Sequence, residues 1–143
     1  MKSLLGFIAL AIAIQFVPYG KDHANPPVVK EPRWETSEVR ALAKRACFDC
    51  HSNETVWPAY AAVAPVSWLV AHDVDEGRRA LNFSEWQRNQ THADDAPMEI
   101  MEKAMPPSSY LLLHSTAKLT NAEREQLAGS IQRMVALQIA PID

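Results

Sequence analysis

The stretch Cys47-Phe48-Asp49-Cys50-His51 decides the fold. Cys47 and Cys50 are the only cysteines among 143 residues, and His51 follows the second one directly. This C-x-x-C-H pattern is the attachment motif of c-type haem. On a helix, residues three apart share a face, so both thiols can form thioethers with one haem while the adjacent imidazole binds its iron. The pattern predicts one covalently bound haem c, held by Cys47 and Cys50, with His51 as the proximal iron ligand.

Three other uses of a close cysteine pair fit the sequence less well. A thioredoxin-like redox pair lies in a βαβ context, and the sequence has no alternating apolar runs that indicate strands. A structural zinc site needs four ligands, and the sequence has neither a second cysteine pair nor an H-x₃₋₅-H spacing. A disulfide between two such close cysteines closes a very short loop and stabilises little.

The composition indicates one ordinary globular domain. Hydrophobic residues make up 48% of the chain and charged residues 22%, which excludes a disordered polar chain. The 14 basic and 17 acidic residues give a net charge of −3, so no basic footprint for nucleic acid is present. The small cysteine count excludes a scaffold of several disulfides.

Helical spacing of apolar residues and helix-end signals predict an all-α domain. Thr36 and Ser37 can cap a first helix, and Pro65 can open a second. The predicted helices cover residues 38–50, 65–80, a short segment from Ser84, 94–105, and a segment from the Thr120–Glu123 capping box to Gln138. Residues 108–119 should be irregular. The buried stripe of the second helix should contain Val66, Leu69, Val70, Val74 and Leu81. We expect a cytochrome c-like small helical domain around the haem, preceded by an N-terminal apolar helix.

The first residues have the form of an export or anchoring segment. Residues 4–17 are an apolar run that only Gln15 interrupts, and Lys2 precedes it. A helix over residues 3–19 would be about 25 Å long at about 1.5 Å per residue, slightly short of a bilayer core of about 30 Å. We expect a signal anchor or signal peptide over 1–20, an extended Pro-rich linker over 21–35 and a haem-binding domain over 36–143. The predicted location is the periplasmic side of the bacterial inner membrane, anchored there, or the periplasm after cleavage.

The second axial ligand of the iron has three candidates. Met105 lies just ahead of Pro106-Pro107, and its thioether is a soft neutral ligand that raises the reduction potential. It is the first choice. His72 is the alternative, because its spacing from Trp68 favours an inward orientation on the second helix. His114 or an open position are further possibilities.

The remaining histidines and methionines have simpler interpretations. His23 and His92 lie in polar surroundings and should be solvated. Met98 and Met101 fit the apolar stripe of their helix and should pack in the core.

Several other large side chains also have two interpretations. Arg78 and Arg79 can pair with a haem propionate, but we expect a solvated helix face. The four tryptophans, with Tyr60 and Tyr110, should fill the core and would exclude water from a haem.

The order of elements resembles class I cytochromes c, with a helix carrying the motif, a Met105-Pro106-Pro107 loop and a capped terminal helix. No glycine-rich stretch follows the motif, however, and the middle of the chain is similar to a bacterial family of haem-binding domain proteins. The similar segments are residues 50–60, 64–70, 77–78 and 81–86, with His72, Asn25-Pro26-Pro27 and Met105-Pro106-Pro107 before Tyr110. Ala59 departs from the aromatic residue expected after Trp57-Pro58. The resemblance implies haem binding in a small exported or membrane-anchored protein.

These observations predict a mono-haem c-type cytochrome that passes single electrons and is not an enzyme. Its partners would be unidentified redox proteins and, through the N-terminal segment, the membrane; nucleic acid is not expected. The alternative is a haem-based sensor or enzyme with an open distal position. A third interpretation is a zinc-stabilised interaction module.

Overall fold

The computed structural model describes residues 2–139, and this range is helical. Its α-helices are α1 (Lys2–Ala13), α2 (Ser37–Ala46), α3 (Phe48–His51), α4 (Val66–Ala80), α5 (Ala96–Met101), α6 (Ser108–Leu111) and α7 (Asn121–Ile139). Short 3₁₀ turns cover Ile14–Phe16, Ala59–Ala62 and Ser115–Ala117. Extended backbone pairs only at an isolated parallel bridge between Lys30 and Glu85 within the described range. The predicted all-α fold is confirmed.

The helix predicted over residues 38–50 is divided into α2 and α3. Thr36 caps α2 as expected, since its Oγ1 accepts a hydrogen bond from the Val39 amide at 3.3 Å. The division falls at Cys47, whose φ of −126° and ψ of −32° leave the helical region. The haem-attachment motif therefore begins at a helix break and forms a turn of its own.

The hydrophobic core lies where α2, α5 and α7 meet the aromatic side chains of residues 34–86. The Phe83 ring centroid lies 5.6 Å from that of Phe48 and 5.9 Å from that of Trp86, so the rings stack in sequence. Three apolar residues of α2 are buried there: Val39, Ala43 and Ala46. From α7 come Leu127, Ile131, Met134 and Val135.

The start of α7 is the predicted capping box. The Thr120 amide donates to Glu123 Oε2 at 2.7 Å, and the Glu123 amide donates to Thr120 Oγ1 at 3.2 Å. Each side chain thus satisfies a backbone donor of the other residue. This pair fixes where α7 begins.

The buried face of α4 differs from the predicted apolar stripe. Its buried residues are Ser67, Ala71, Val74 and Gly77, three of them small, whereas Val66 and Leu69 are 42% and 61% exposed. Small side chains let α4 approach α3 and the 3₁₀ turn at Ala59–Ala62 closely, and this close packing decides which face is buried. Val74 and Leu81 of the predicted stripe are buried, at 2% and 5%, so the prediction is confirmed for these two residues and wrong for Val66 and Leu69.

The short helix predicted from Ser84 is wrong, because its capping groups have other partners. Ser84 Oγ accepts from the Asn53 amide at 2.9 Å, and the Ser84 amide donates to Asn82 Oδ1 at 2.8 Å. The Ser84 carbonyl accepts from the amides of Val29 and Lys30. Residues 83–88 are turns that hold the preceding linker.

Helix α5 ends earlier than predicted, at Met101 rather than Met105. The chain turns at Lys103, whose φ is +65°. Met98 and Met101 are 54% and 47% exposed, so their predicted core packing is wrong; Ile100, at 3%, is the buried residue of this helix. Residues 108–119 are irregular apart from α6 and one 3₁₀ turn.

The linker over residues 21–35 is non-helical, and it lies against the helical domain. Asn25 Nδ2 donates to the Thr55 carbonyl at 2.9 Å, and Trp34 packs against the core. His23 stacks on Trp57 with ring centroids 4.6 Å apart, so the prediction of a solvated His23 is wrong. His92 is exposed, as predicted.

The N-terminal apolar run does not form the predicted continuous helix. Gln15 interrupts it, because its amide donates to the Ala64 carbonyl at 2.9 Å and accepts from the Ala64 amide at 3.0 Å. The 12 residues of α1 correspond to about 18 Å. No helix within residues 2–139 has the length and apolar character needed to cross a membrane. The predicted membrane anchor, and the predicted location at the periplasmic side of the inner membrane, are therefore wrong.

Candidate functional site

The cysteines and the histidine of the motif share one tight turn. The amides of Cys50 and His51 both donate to the Cys47 carbonyl, at 3.2 and 2.8 Å. Both cysteines are free, and each residue is partly buried. The turn therefore presents two sulfur atoms and an imidazole from five consecutive residues.

The His51 ring is oriented by the end of α4. Its Nδ1 lies 2.9 Å from the Gly77 carbonyl oxygen and 3.0 Å from that of Leu81. Since both partners are acceptors, Nδ1 carries the proton and Nε2 keeps its lone pair. A backbone carbonyl that holds one ring nitrogen and leaves the other bare is the usual arrangement of a metal-binding histidine.

Burial lowers the pKa of His51, and the hydrogen bonds to Leu81 and Gly77 oppose that shift. The net effect favours the neutral imidazole, which is the form that binds a metal ion. Electrostatics and geometry therefore support the same protonation state.

Gly77 permits the contact between α4 and the motif. A Cβ at this position would lie 2.5 Å from the Cys50 carbonyl oxygen and 3.0 Å from Cys50 Cβ. Only glycine allows the two backbones to come this close. The Gly77 carbonyl also accepts the hydrogen bond from His51. Gly77 therefore contributes to the site both through its main-chain oxygen and through the space left by its missing side chain.

The thiols of the motif are protonated at neutral pH. Burial raises the pKa of Cys47 to about 12; burial, followed by the charges of Asp73 and Asp49, raises the pKa of Cys50 to about 11. Reactive cysteines of dithiol redox sites have lowered pKa values, because the thiolate is the nucleophile. The environment therefore disfavours the thioredoxin-like alternative.

Asp49, between the cysteines, connects the motif to the segment after Met105. Tyr110 donates its hydroxyl to Asp49 Oδ2 at 2.6 Å, while Asp49 Oδ1 accepts from the Val56 amide at 3.0 Å. Burial and this hydrogen bond raise the pKa of Tyr110. Sequence reasoning missed the pair, because Asp49 occupies a position that the motif leaves free.

His114 lies in an aromatic cluster beside this contact. Its ring stacks on Tyr110 with centroids 4.0 Å apart, and its Nε2 lies 3.4 Å from the Tyr60 hydroxyl. His72, in contrast, is exposed on α4, and the inward orientation predicted for it is wrong. Tyr60 and Tyr110 are partly buried and have specific partners in this cluster, so the prediction that they fill the core is wrong.

Arg78 forms hydrogen bonds to residues just after the motif and to the linker, so the prediction of a solvated helix face is wrong for this residue. Its Nε donates to the Ser52 carbonyl, and its Nη2 donates to Thr55 Oγ1 and Asn25 Oδ1, each at 2.8 Å. Arg79 is exposed and pairs with Glu76. Arg78 thereby joins α4, the linker and the segment after His51.

Met105 has a fixed backbone and an accessible side chain. Its amide donates to the Glu99 carbonyl at 3.0 Å, and its carbonyl accepts from Arg124 Nη1 at 3.1 Å. The residue is 37% exposed. Its side chain is therefore partly accessible to solvent.

Residues 2–139 contain no group of three or more His, Cys, Asp or Glu side chains that could hold a metal ion. A structural zinc site needs four such ligands. The zinc-stabilised module is therefore disfavoured. Two thiols and a neutral imidazole in one turn suit a haem, because the haem itself supplies four nitrogen ligands to its iron.

Fold and site together define a small helical protein whose chemistry centres on one cysteine–histidine turn. Residues 9–133 match the family model of the haem-binding domain, and the chain belongs to this family. The match supports haem as the cofactor and fits a non-catalytic haem protein. No curated protein and no solved structure matches the chain.

Gly77→Ala should destabilise the protein, although alanine is the better helix former. The added Cβ overlaps the Cys50 carbonyl, and overpacking of this kind costs about 1–3 kcal/mol. Urea unfolding measures the change. Gly129→Ala in α7 is the matched control, because its Cβ would meet only the flexible end of Arg133 at 3.3 Å. That variant should be neutral or more stable by up to about 1 kcal/mol. Equal effects of the two substitutions would contradict the close-packing account.

Tyr110→Phe should lower the free energy of unfolding by about 1–2 kcal/mol near pH 8, because a hydrogen bond to a carboxylate is lost. The folded pKa of Tyr110 is raised above its unfolded value, which is about 10. The advantage of the wild type is therefore complete below pH of about 10 and shrinks as the pH rises through the folded pKa.

Urea unfolding at pH 8, 9, 10 and 11 checks this pH dependence. Tyr19→Phe, at an exposed residue, is the control and should leave the free energy of unfolding unchanged. A difference between wild type and Tyr110→Phe that stays constant up to pH 11 would show that the Asp49 contact does not hold the phenol proton.

Proposed function

We propose that the protein is a mono-haem c-type cytochrome that passes single electrons between partner proteins. One observation carries the proposal: His51 Nδ1 is engaged by the Gly77 and Leu81 carbonyls, and its free Nε2 belongs to the same turn as two free thiols. A haem supplies the one-electron iron couple when bound. The chain supplies attachment, orientation and exclusion of water.

In this proposal Cys47 and Cys50 would hold the haem through two thioether links. Each S–H would add across one vinyl group of the haem, with the sulfur on one vinyl carbon and the hydrogen on the other, so atoms and electrons balance without an oxidant.

Met105 is the proposed distal ligand. Its two main-chain hydrogen bonds fix the position of its Cα atom, and the side chain is accessible. Methionine opposite histidine gives a higher reduction potential than a second histidine, which suits an electron carrier. His114 is less suitable, since its Nε2 faces the Tyr60 hydroxyl.

With both axial positions filled by His51 and Met105, no position remains for a substrate. The proposed role is therefore electron transfer and not enzymatic catalysis. An open distal position would instead favour a sensor or an enzyme that binds a small molecule.

Covalent attachment is tested with the chain made in a strain that carries a cytochrome c maturation system. The wild type should keep its haem stain on a denaturing gel, and Cys47→Ser with Cys50→Ser should lose it. Asp49→Asn, at the free position of the motif, is the control and should retain the stain. Haem that leaves the wild-type chain in acidified organic solvent would contradict the c-type assignment.

Met105→Ala should abolish the sulfur–iron absorption band and lower the reduction potential by at least about 60 mV, which is a tenfold decrease in the equilibrium constant for one-electron reduction. The reduced variant should bind carbon monoxide rapidly, whereas the wild type should bind it slowly. Met101→Ala is the matched control, because this methionine is similarly exposed but lies on α5. A wild-type spectrum and potential in Met105→Ala would exclude Met105 and transfer the test to His114 and His72.

A further inference from the structure

We propose that Arg124 is a positioning residue for Met105: its guanidinium holds the Met105 carbonyl and so keeps the thioether in place for the iron. The inference rests on the proposed role of Met105 as the distal ligand. Arg124 itself touches neither haem nor iron in this account. Its effect passes through one main-chain oxygen.

Arg124 is placed where a cation is unfavourable. It lies in the first turn of α7, at the positive end of the helix dipole, which favours acidic residues. It is also only 5% exposed, and burial of a charged group costs free energy unless hydrogen bonds compensate. We therefore expect the buried Arg124 side chain to form specific hydrogen bonds that compensate for this cost.

That contact is made to the segment between α5 and Met105. Arg124 Nη1 donates to the Ile100 carbonyl at 2.9 Å and to the Met105 carbonyl at 3.1 Å. The first oxygen belongs to the last turn of α5 and also accepts from the Lys103 amide at 3.3 Å. One buried nitrogen thus joins the end of α5 to the proposed ligand residue.

Besides Arg124, residues 101–105 are held by main-chain hydrogen bonds from the amides of Glu102, Lys103 and Met105 to carbonyls of α5. Each residue in this range is exposed, and the chain turns through a positive φ of 65° at Lys103. The Met105 amide is bonded to the Glu99 carbonyl at 3.0 Å, so Arg124 completes the bonding of both polar main-chain atoms. The segment 101–105 is therefore anchored at Met105 to the buried Arg124 side chain of α7.

A loop that is already ordered strengthens the bond between Met105 and the iron. The conformational entropy of its residues is lost when the protein folds and not when the thioether binds. Loss of an outer hydrogen bond that orients a metal ligand typically costs about 10–100-fold in affinity. Arg124→Met keeps the apolar stem and removes the donors. In this variant carbon monoxide should displace Met105 from the reduced iron about 10–100-fold more readily.

The experiment compares five haem-loaded variants: Arg124→Met, Arg124→Lys, Leu127→Ala, Met105→Ala and the double variant Arg124→Met, Met105→Ala. Leu127 is fully buried one turn further along α7, so Leu127→Ala controls for lost stability. The readouts are the sulfur–iron absorption band, the affinity of the reduced protein for carbon monoxide, and hydrogen exchange at the Met105 amide. Arg124→Lys should restore part of the band, since a lysine keeps the charge and one directed donor.

The expected result is a weakened band and faster exchange at the Met105 amide in Arg124→Met, with a normal band in Leu127→Ala. The double variant Arg124→Met, Met105→Ala should bind carbon monoxide like Met105→Ala alone, because Arg124 acts through Met105. If Met105→Ala loses the band but Arg124→Met keeps it with unchanged affinity for carbon monoxide, the role of Arg124 is overturned while that of Met105 stands. If Met105→Ala keeps the wild-type spectrum, the proposed ligand and this inference both fail.

Discussion

The hydrogen bonds from His51 Nδ1 to the carbonyls of Gly77 and Leu81 are the contact on which the rest of the site depends. They place α3 against the end of α4 and give partners to carbonyls at a helix terminus. They also decide the tautomer of the imidazole and leave Nε2 bare. The missing side chain of Gly77 and the small buried residues of α4 make this approach possible. The same hydrogen bonds therefore determine both how α3 packs against α4 and which nitrogen of His51 is protonated.

Around this contact the chain connects distant segments through directed polar groups. Arg78 joins the linker to α4, Tyr110 joins the segment after Met105 to the motif, and Arg124 holds Met105 itself. In each case a donor from one segment reaches an acceptor in another.

Local signals in the sequence predicted the helical class and the caps at Thr36 and Thr120, whereas the separate turn that carries the motif was not predicted. The predicted features need only residues close together in the chain, so spacing was sufficient. For α4 the hydrophobic pattern identified the buried Val74 and Leu81 but misplaced Val66 and Leu69, because it does not register the small residues that permit close packing. The interruption of the N-terminal apolar run after Ala13 involves a partner far along the chain, since Gln15 bonds to Ala64. The roles of Asp49, Tyr110 and Arg124 were missed for the same reason.

The central claim is that the fold prepares His51 as an iron ligand before any haem is bound. Nitrogen-15 NMR of the haem-free chain at neutral pH measures this state directly, since the shifts of the two ring nitrogens show which one carries the proton. The account predicts a neutral ring with the proton on Nδ1 and a bare Nε2. A proton on Nε2, or on both nitrogens at neutral pH, would contradict it.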